Sequence, residues 1–130
     1  MSTSLTLPLC HFTEITSGLV LAEVSCLEVK AFLTTPQFQR GFTQQELDYA
    51  AGLARGIQSL AARYAAKRAA QKLTDFGWET FEVVRTSEGV PSWAPHPDLA
   101  LGGKWLMLSL SHDGDVALAY VGWGGSLIDL

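Results

Sequence analysis

The sequence predicts an α+β domain in which a small, mainly antiparallel sheet packs on one long helix. Three observations predict it. Leu60 to Leu73 is a run of strong helix formers, rich in alanine and carrying Arg63, Lys67, Arg68 and Lys72. Separate apolar or alternating runs at Leu19–Val24, Phe81–Arg85, about 105–111 and 116–123 read as strands. The chain has 130 residues, 48% of them hydrophobic, which suits one buried core and leaves no room for a second domain.

Taken in order, residues 1–17 are rich in Ser and Thr and include Pro8, and they read as an N-terminal extension, an extra strand or arm. His11 has no partner there at ligand spacing. Residues 18–130 form the domain proper. Leu19–Val24 is its first buried strand, and Ser25 to Phe32 continues into a turn and a short helix. Thr43 with Glu46 three residues later is a capping box, which explains both residues as the start of a helix carrying Leu47, Ala50, Ala51 and Ala54. Gly52 and Gly56 interrupt that helix, and neither follows a strand as a phosphate-binding glycine would.

In the long helix, Leu60, Tyr64, Lys67 and Gln71 mark one surface, with Arg68 and Lys72 on a neighbouring flank. The alanines let the helix lie close to a sheet. The cations should leave it at the edges, giving a half-buried helix with a solvated basic face. Thr74–Gly77 ends the helix, and Ser87–Ser92 is turn chemistry after the strand at 81–85. His96, between two prolines, should be exposed and solvated. Gly122, Gly124 and Gly125 should end the last strand, leaving Leu127 and Ile128 as an apolar tail for docking.

A formal net charge of −4 gives no reason to expect a nucleic-acid or membrane partner. Cys10 and Cys26 lack metal or redox spacing and read as reduced thiols of a cytoplasmic protein. No secretory signal opens the sequence, and the apolar run from Trp105 to Leu110 is too short to span a bilayer.

Four stretches then carry a resemblance. They are Ser25-Cys26-Leu27-Glu28-Val29-Lys30-Ala31-Phe32, Arg40-Gly41-Phe42-Thr43-Gln44-Gln45-Glu46, Arg63-Tyr64-Ala65-Ala66-Lys67-Arg68-Ala69, and Leu108-Ser109-Leu110-Ser111-His112 leading into Val116–Val121. In order and spacing, from about residue 23 to residue 121, the chain resembles the holo-acyl-carrier-protein synthase group of phosphopantetheinyl transferases. The family does not usually have the N-terminal extension.

The resemblance implies the phosphopantetheinyl-transferase fold and a homotrimer with pockets between subunits. Trp93, Trp105 and Trp123 are then core or interface residues, not ligand stackers. It also implies transfer of phosphopantetheine from coenzyme A to a serine of an acyl carrier protein, with magnesium held by an early Asp and by the Glu of a Lys-Glu-Ala motif. Those two positions carry Ser25 and Arg68 here. A serine is a weak neutral ligand. An arginine at about 5 Å, with an effective dielectric near 20, repels each unit of cation charge by roughly 3 kcal/mol. Magnesium is therefore not expected, unless Glu23, Glu28 or Asp113 substitutes.

The resemblance places Arg63, Lys67, Lys72 and His112 at coenzyme-binding positions. The expectation is a pocket redirected, within fatty-acid or polyketide metabolism, to binding or to a new small-molecule reaction using His112, Asp113, Arg63 and Arg68. Coenzyme A, an acyl carrier protein and a small-molecule substrate are its candidate partners. Two alternatives stand beside it: an active transferase with a substitute acid, and a structural subunit that assembles with an active paralogue.

Overall fold

The computed structural model describes residues 7–94 and 106–124. Trp105, His96, Gly125, Leu127 and Ile128 lie outside the described residues. Six strands and four helices follow in the order β1 (Cys10–Thr16), β2 (Leu19–Ser25), α1 (Cys26–Phe32), α2 (Pro36–Gln39), α3 (Gln44–Ala51), α4 (Gly56–Thr74), β3 (Val83–Arg85), β4 (Pro91–Trp93), β5 (Leu106–Asp113) and β6 (Val116–Trp123), with a 3-10 turn at Trp78–Thr80. β1-β2-β6-β5 make one antiparallel sheet, and β3-β4 make a short hairpin.

Strand register fixes which side chains face the helix. Val20, Ala22 and Val24 pair with Val121, Ala119 and Ala117, and β5 continues the rows with Leu108, Leu110 and His112. Ala22, Ala117 and Ala119 are fully buried beneath α4, whose own Ala61, Ala65, Ala66, Ala69 and Ala70 are fully buried too. Small residues on both sides bring the helix close to the sheet, as its alanine content predicted.

The cations behave otherwise. Arg63 is 2% exposed and Lys67 is fully buried, so α4 has no continuous solvated basic face. Their charge is met inside the protein by Glu46.

The capping box at Thr43 and Glu46 is present, with each residue's side chain accepting from the other's backbone N–H. Gly52 caps α3 and Gly56 opens α4. An aromatic cluster of Phe38, Phe42, Tyr64 and Trp78, with centroids 5.0–6.2 Å apart, closes the far side of α4. Gly41 makes room for it, because a Cβ there would fall inside the Trp78 ring.

Two boundaries differ from the sequence reading. The strand expected at 81–85 begins only at Val83, after the 3-10 turn. Gly122 does not end β6 but sits within it, opposite Leu19 and Met107. A Cβ at 122 would lie 2.9 Å from the Leu19 side chain and 3.1 Å from the Gly18 carbonyl, so the glycine permits a close strand approach. Within the segment read as an extension, Cys10–Thr16 form β1, hairpinned to β2 through Gly18, whose φ of 85° suits glycine.

Candidate functional site

Near the β5 edge of the sheet, α4, β3 and β5 converge on a pocket of about 200 Å3 bordered by Arg55, Arg63, Arg85, Ser111 and His112. Arg63 Nη1 donates to Ser59 Oγ one helical turn earlier, and its guanidinium stacks on Tyr49 at 4.9 Å. Arg85 approaches the same ring at 5.5 Å. Two guanidinium groups thus approach one tyrosine ring at the pocket, and such planar cations suit bidentate recognition of phosphate or carboxylate. His112 reaches the pocket because its register with Ala117 turns it to the α4 side of the sheet.

Behind the pocket lies a buried ionic centre. Glu46 Oε1 accepts from Lys67 Nζ at 2.6 Å and from Thr43 N at 3.0 Å. Oε2 accepts from Val83 N at 2.9 Å and lies 3.9 Å from Arg63 Nε. Lys67 also donates to the Gly41 carbonyl at 2.7 Å and sits 4.4 Å from the Phe42 ring centre. Burial lowers the Lys67 ammonium to about 8, although the Glu46 carboxylate pulls it back upward. Burial likewise lowers Arg63, again against Glu46. Lys67 is therefore corrected from a coenzyme-facing residue to an internal one, because its contacts lie within the fold and it has no exposed surface.

At the opposite edge lie Ser25 and Arg68, the positions where the resemblance would put metal ligands. Ser25 caps α1, its Oγ accepting from Glu28 N at 3.3 Å. Arg68 Nη1 donates to Tyr64 Oη at 2.6 Å, and that hydroxyl donates to the Pro8 carbonyl at 2.6 Å. Burial raises the Tyr64 phenol to about 12, against the opposing charge of Arg68. Arg68 and Lys72 approach the Phe12 ring at 6.0 and 4.8 Å. Glu28 Oε1 accepts from Leu9 N at 3.0 Å. Glu23, paired in register with His11, borders a cleft with Ser25 and Glu28.

Within one chain, then, the expected site residues separate. Arg63 and His112 share the cationic pocket, whereas Arg68 and Lys72 lie at the β1 edge and Lys67 is internal. Asp113 follows His112 on β5 and so faces the other side of the sheet. It shares a row with Val116 and Ser25, two strand spacings and so about 10 Å from Ser25. The structure does not gather His112, Arg68 and Asp113 into one constellation.

Sequence reasoning missed Tyr49, Ser59 and Arg85. The four-residue spacing of Ser59 and Arg63 was a usable signal. Nothing local marks Tyr49 and Arg85, which meet Arg63 only through the tertiary fold.

This fold matches that of solved holo-[acyl-carrier-protein] synthases. A holo-(acyl-carrier-protein) synthase from Bacillus anthracis, in complex with CoA (3',5'-ADP), superposes with a TM-score of 0.67 at 24% identity, over 82% of this chain and 94% of that one. The holo-[acyl-carrier-protein] synthase from Neisseria meningitidis gives 0.70 at 24% identity, over 82% and 96%. In sequence, the holo-[acyl-carrier-protein] synthase of Geobacter sulfurreducens is 39% identical over 97 residues, 65% of this chain and 75% of that protein. That of Geobacter metallireducens is 39% identical over 104 residues, 67% and 78%. No family model matches the chain. The chain belongs to the holo-[acyl-carrier-protein] synthase family. Among the described residues, no helix is long and apolar enough to cross a membrane.

Proposed function

We propose that this family member has lost ordinary magnesium-dependent phosphopantetheine transfer and uses its cationic pocket to bind coenzyme A or another anionic ligand, in fatty-acid or polyketide metabolism. The observation that carries the reading is the engagement of both family metal positions in the fold. Magnesium requires several hard oxygen donors in near-octahedral geometry. Ser25 Oγ serves as a helix cap, Glu28 holds the Leu9 amide, and Arg68 presents a guanidinium. These residues do not fit the ion.

The pocket's own residues bind and orient. Arg85 and Arg63 offer planar N–H pairs to an anion, and His112 and Ser111 border it from β5. Coenzyme A should bind without magnesium, weakly and less tightly as salt screens the cations. Calorimetry at low salt tests this, and Arg85→Ala should weaken binding roughly tenfold, the scale of one charge-assisted hydrogen bond. No heat of binding at low salt would sink the pocket reading.

The relatives are named for acyl carrier proteins, and such a carrier is the macromolecular partner in this reading. A second reading, a transferase with a substitute acid, draws on the cleft that Glu23 and Glu28 share.

The assembly belongs to the same proposal. The sheet face away from α4 presents Leu21, Leu118, Tyr120 and Met107 interspersed with Glu23, Ser109 and Ser111, with Tyr120 43% and Met107 40% exposed. These exposed apolar side chains, joined to the family resemblance, support a homotrimer. Light scattering at micromolar concentration should give three times the chain mass, and Tyr120→Glu should shift it toward one. A monomeric unaltered protein would remove the assembly and any pocket that needs two chains.

A further inference from the structure

We propose that the cationic pocket and an apolar groove beside it form one site for a single-headed anionic amphiphile, a linear alkyl or acyl chain ending directly in a phosphate or carboxylate. This rests on the reading of the pocket as an anion site and adds what the rest of the ligand must be.

Leu53 and Gln58 border both concavities, so the two adjoin at the start of α4. On the charged side, Arg63 and Arg85 border the pocket and supply its positive charge, with Arg63 Nε held 3.9 Å from Glu46 Oε2.

On the other side, Leu33, Leu47, Ile57 and Leu60 line a groove of about 350 Å3 between α3 and α4. Gly56 fixes its floor, because a Cβ there would collide with the Ala50 carbonyl and push the helices apart. At about 30 Å3 for each water-sized group, the groove takes on the order of ten methylenes.

The absence of any spacer between the two halves selects the occupant. In an acyl-coenzyme A, the pantetheine arm separates the phosphates from the acyl chain. Here the apolar wall begins at the residues that end the charged pocket, so head and chain must be directly bonded. Charge complementarity with Arg63 and Arg85 sets the sign of the head.

Calorimetry with n-alkyl phosphates from butyl to decyl, below their micellar concentrations, tests the proposal. Affinity should rise about fourfold with each methylene buried and level off once the groove is full. Ile57→Asp should flatten the series, and Arg85→Ala should lower every member by a similar factor. Leu53→Asp, at a residue 40% exposed, provides a second groove variant, and circular dichroism melts establish that each variant folds.

If inorganic and butyl phosphate bind but longer chains gain nothing, the amphiphile proposal is overturned while the anion pocket stands. A chain-length gain that survives both groove variants would put the chain elsewhere and also overturn it. So would a steeper gain for acyl-coenzyme A than for alkyl phosphates. If neither phosphate, alkyl phosphate nor coenzyme A binds, the underlying pocket reading falls instead.

Discussion

Glu46→Ala should lower the unfolding free energy by about 3–5 kcal/mol, the scale for a buried ion pair broken by removal of one partner. Against the roughly 5–15 kcal/mol that holds a domain together, that is a large fraction. The cause is local and specific. Removing the carboxylate strands the Lys67 ammonium and brings Arg63 no compensating charge, while the amides of Thr43 and Val83 lose their acceptor. Glu46→Ala combined with Lys67→Met should therefore recover only part of the loss, because the two amides remain unsatisfied. Urea midpoints measure both, and full recovery in the double variant would reduce Glu46 to a simple counter-ion.

The pH profile of stability provides an independent reading of the same centre. Lys67 falls from 10.5 to about 8 on folding, so above pH 8 the unfolded chain holds more protons at this group and stability rises with pH. Cys10 is pushed by burial from 9.0 to about 12, and burial also raises Cys26 from 9.0. From pH 9 upward the unfolded thiols therefore lose protons that the folded ones keep, which opposes Lys67. Tyr64, raised from 10.0 to about 12, joins them above pH 10. Stability under reducing conditions should rise between about pH 8 and 9 and fall beyond 10. Lys67→Met should remove the rise and leave the fall, and identical profiles for the two proteins would contradict the assignment.

What was legible in the sequence follows from how far each signal reaches. The capping box is a three-residue pattern, so Thr43 and Glu46 were readable as a helix start. That Glu46 is also the counter-charge for α4 was not, because Lys67 and Arg63 are 21 and 17 positions away and meet it only after α3 folds onto α4. The alanines of α4 announced close packing, but they surround the helix so completely that no stripe separated Lys67 from the solvent side. β1 gave little signal because most of its residues beyond Cys10 are exposed. Its consequence, the Pro8 carbonyl and the Phe12 ring placed against Tyr64 and Arg68, depends on the hairpin at Gly18. The positions of Ser25 and Arg68 in the motifs were legible, whereas the separation of His112 from Asp113 required the strand register.

The proposed loss of the metal site carries the largest expected change in activity. Incubated with an unmodified acyl carrier protein, coenzyme A and magnesium, the unaltered protein should leave the carrier's intact mass unchanged. Ser25→Asp with Arg68→Glu should restore measurable magnesium binding and with it some phosphopantetheine addition. Asp is as good a helix cap as Ser, so the α1 start tolerates the first change. The second releases Tyr64 Oη from Arg68 and removes the guanidinium from the Phe12 face, replacing a repelling cation with a hard oxygen donor. Each change alone should do much less. A new carboxylate at position 25 would be drawn to the remaining arginine, and a carboxylate at position 68 would face only a neutral hydroxyl, so the two effects should couple strongly. Calorimetric titration of magnesium separates regained binding from regained transfer. Robust modification of the carrier by the unaltered protein would refute the loss of activity and turn attention to Glu23 and Glu28, the two acids that border the Ser25 cleft.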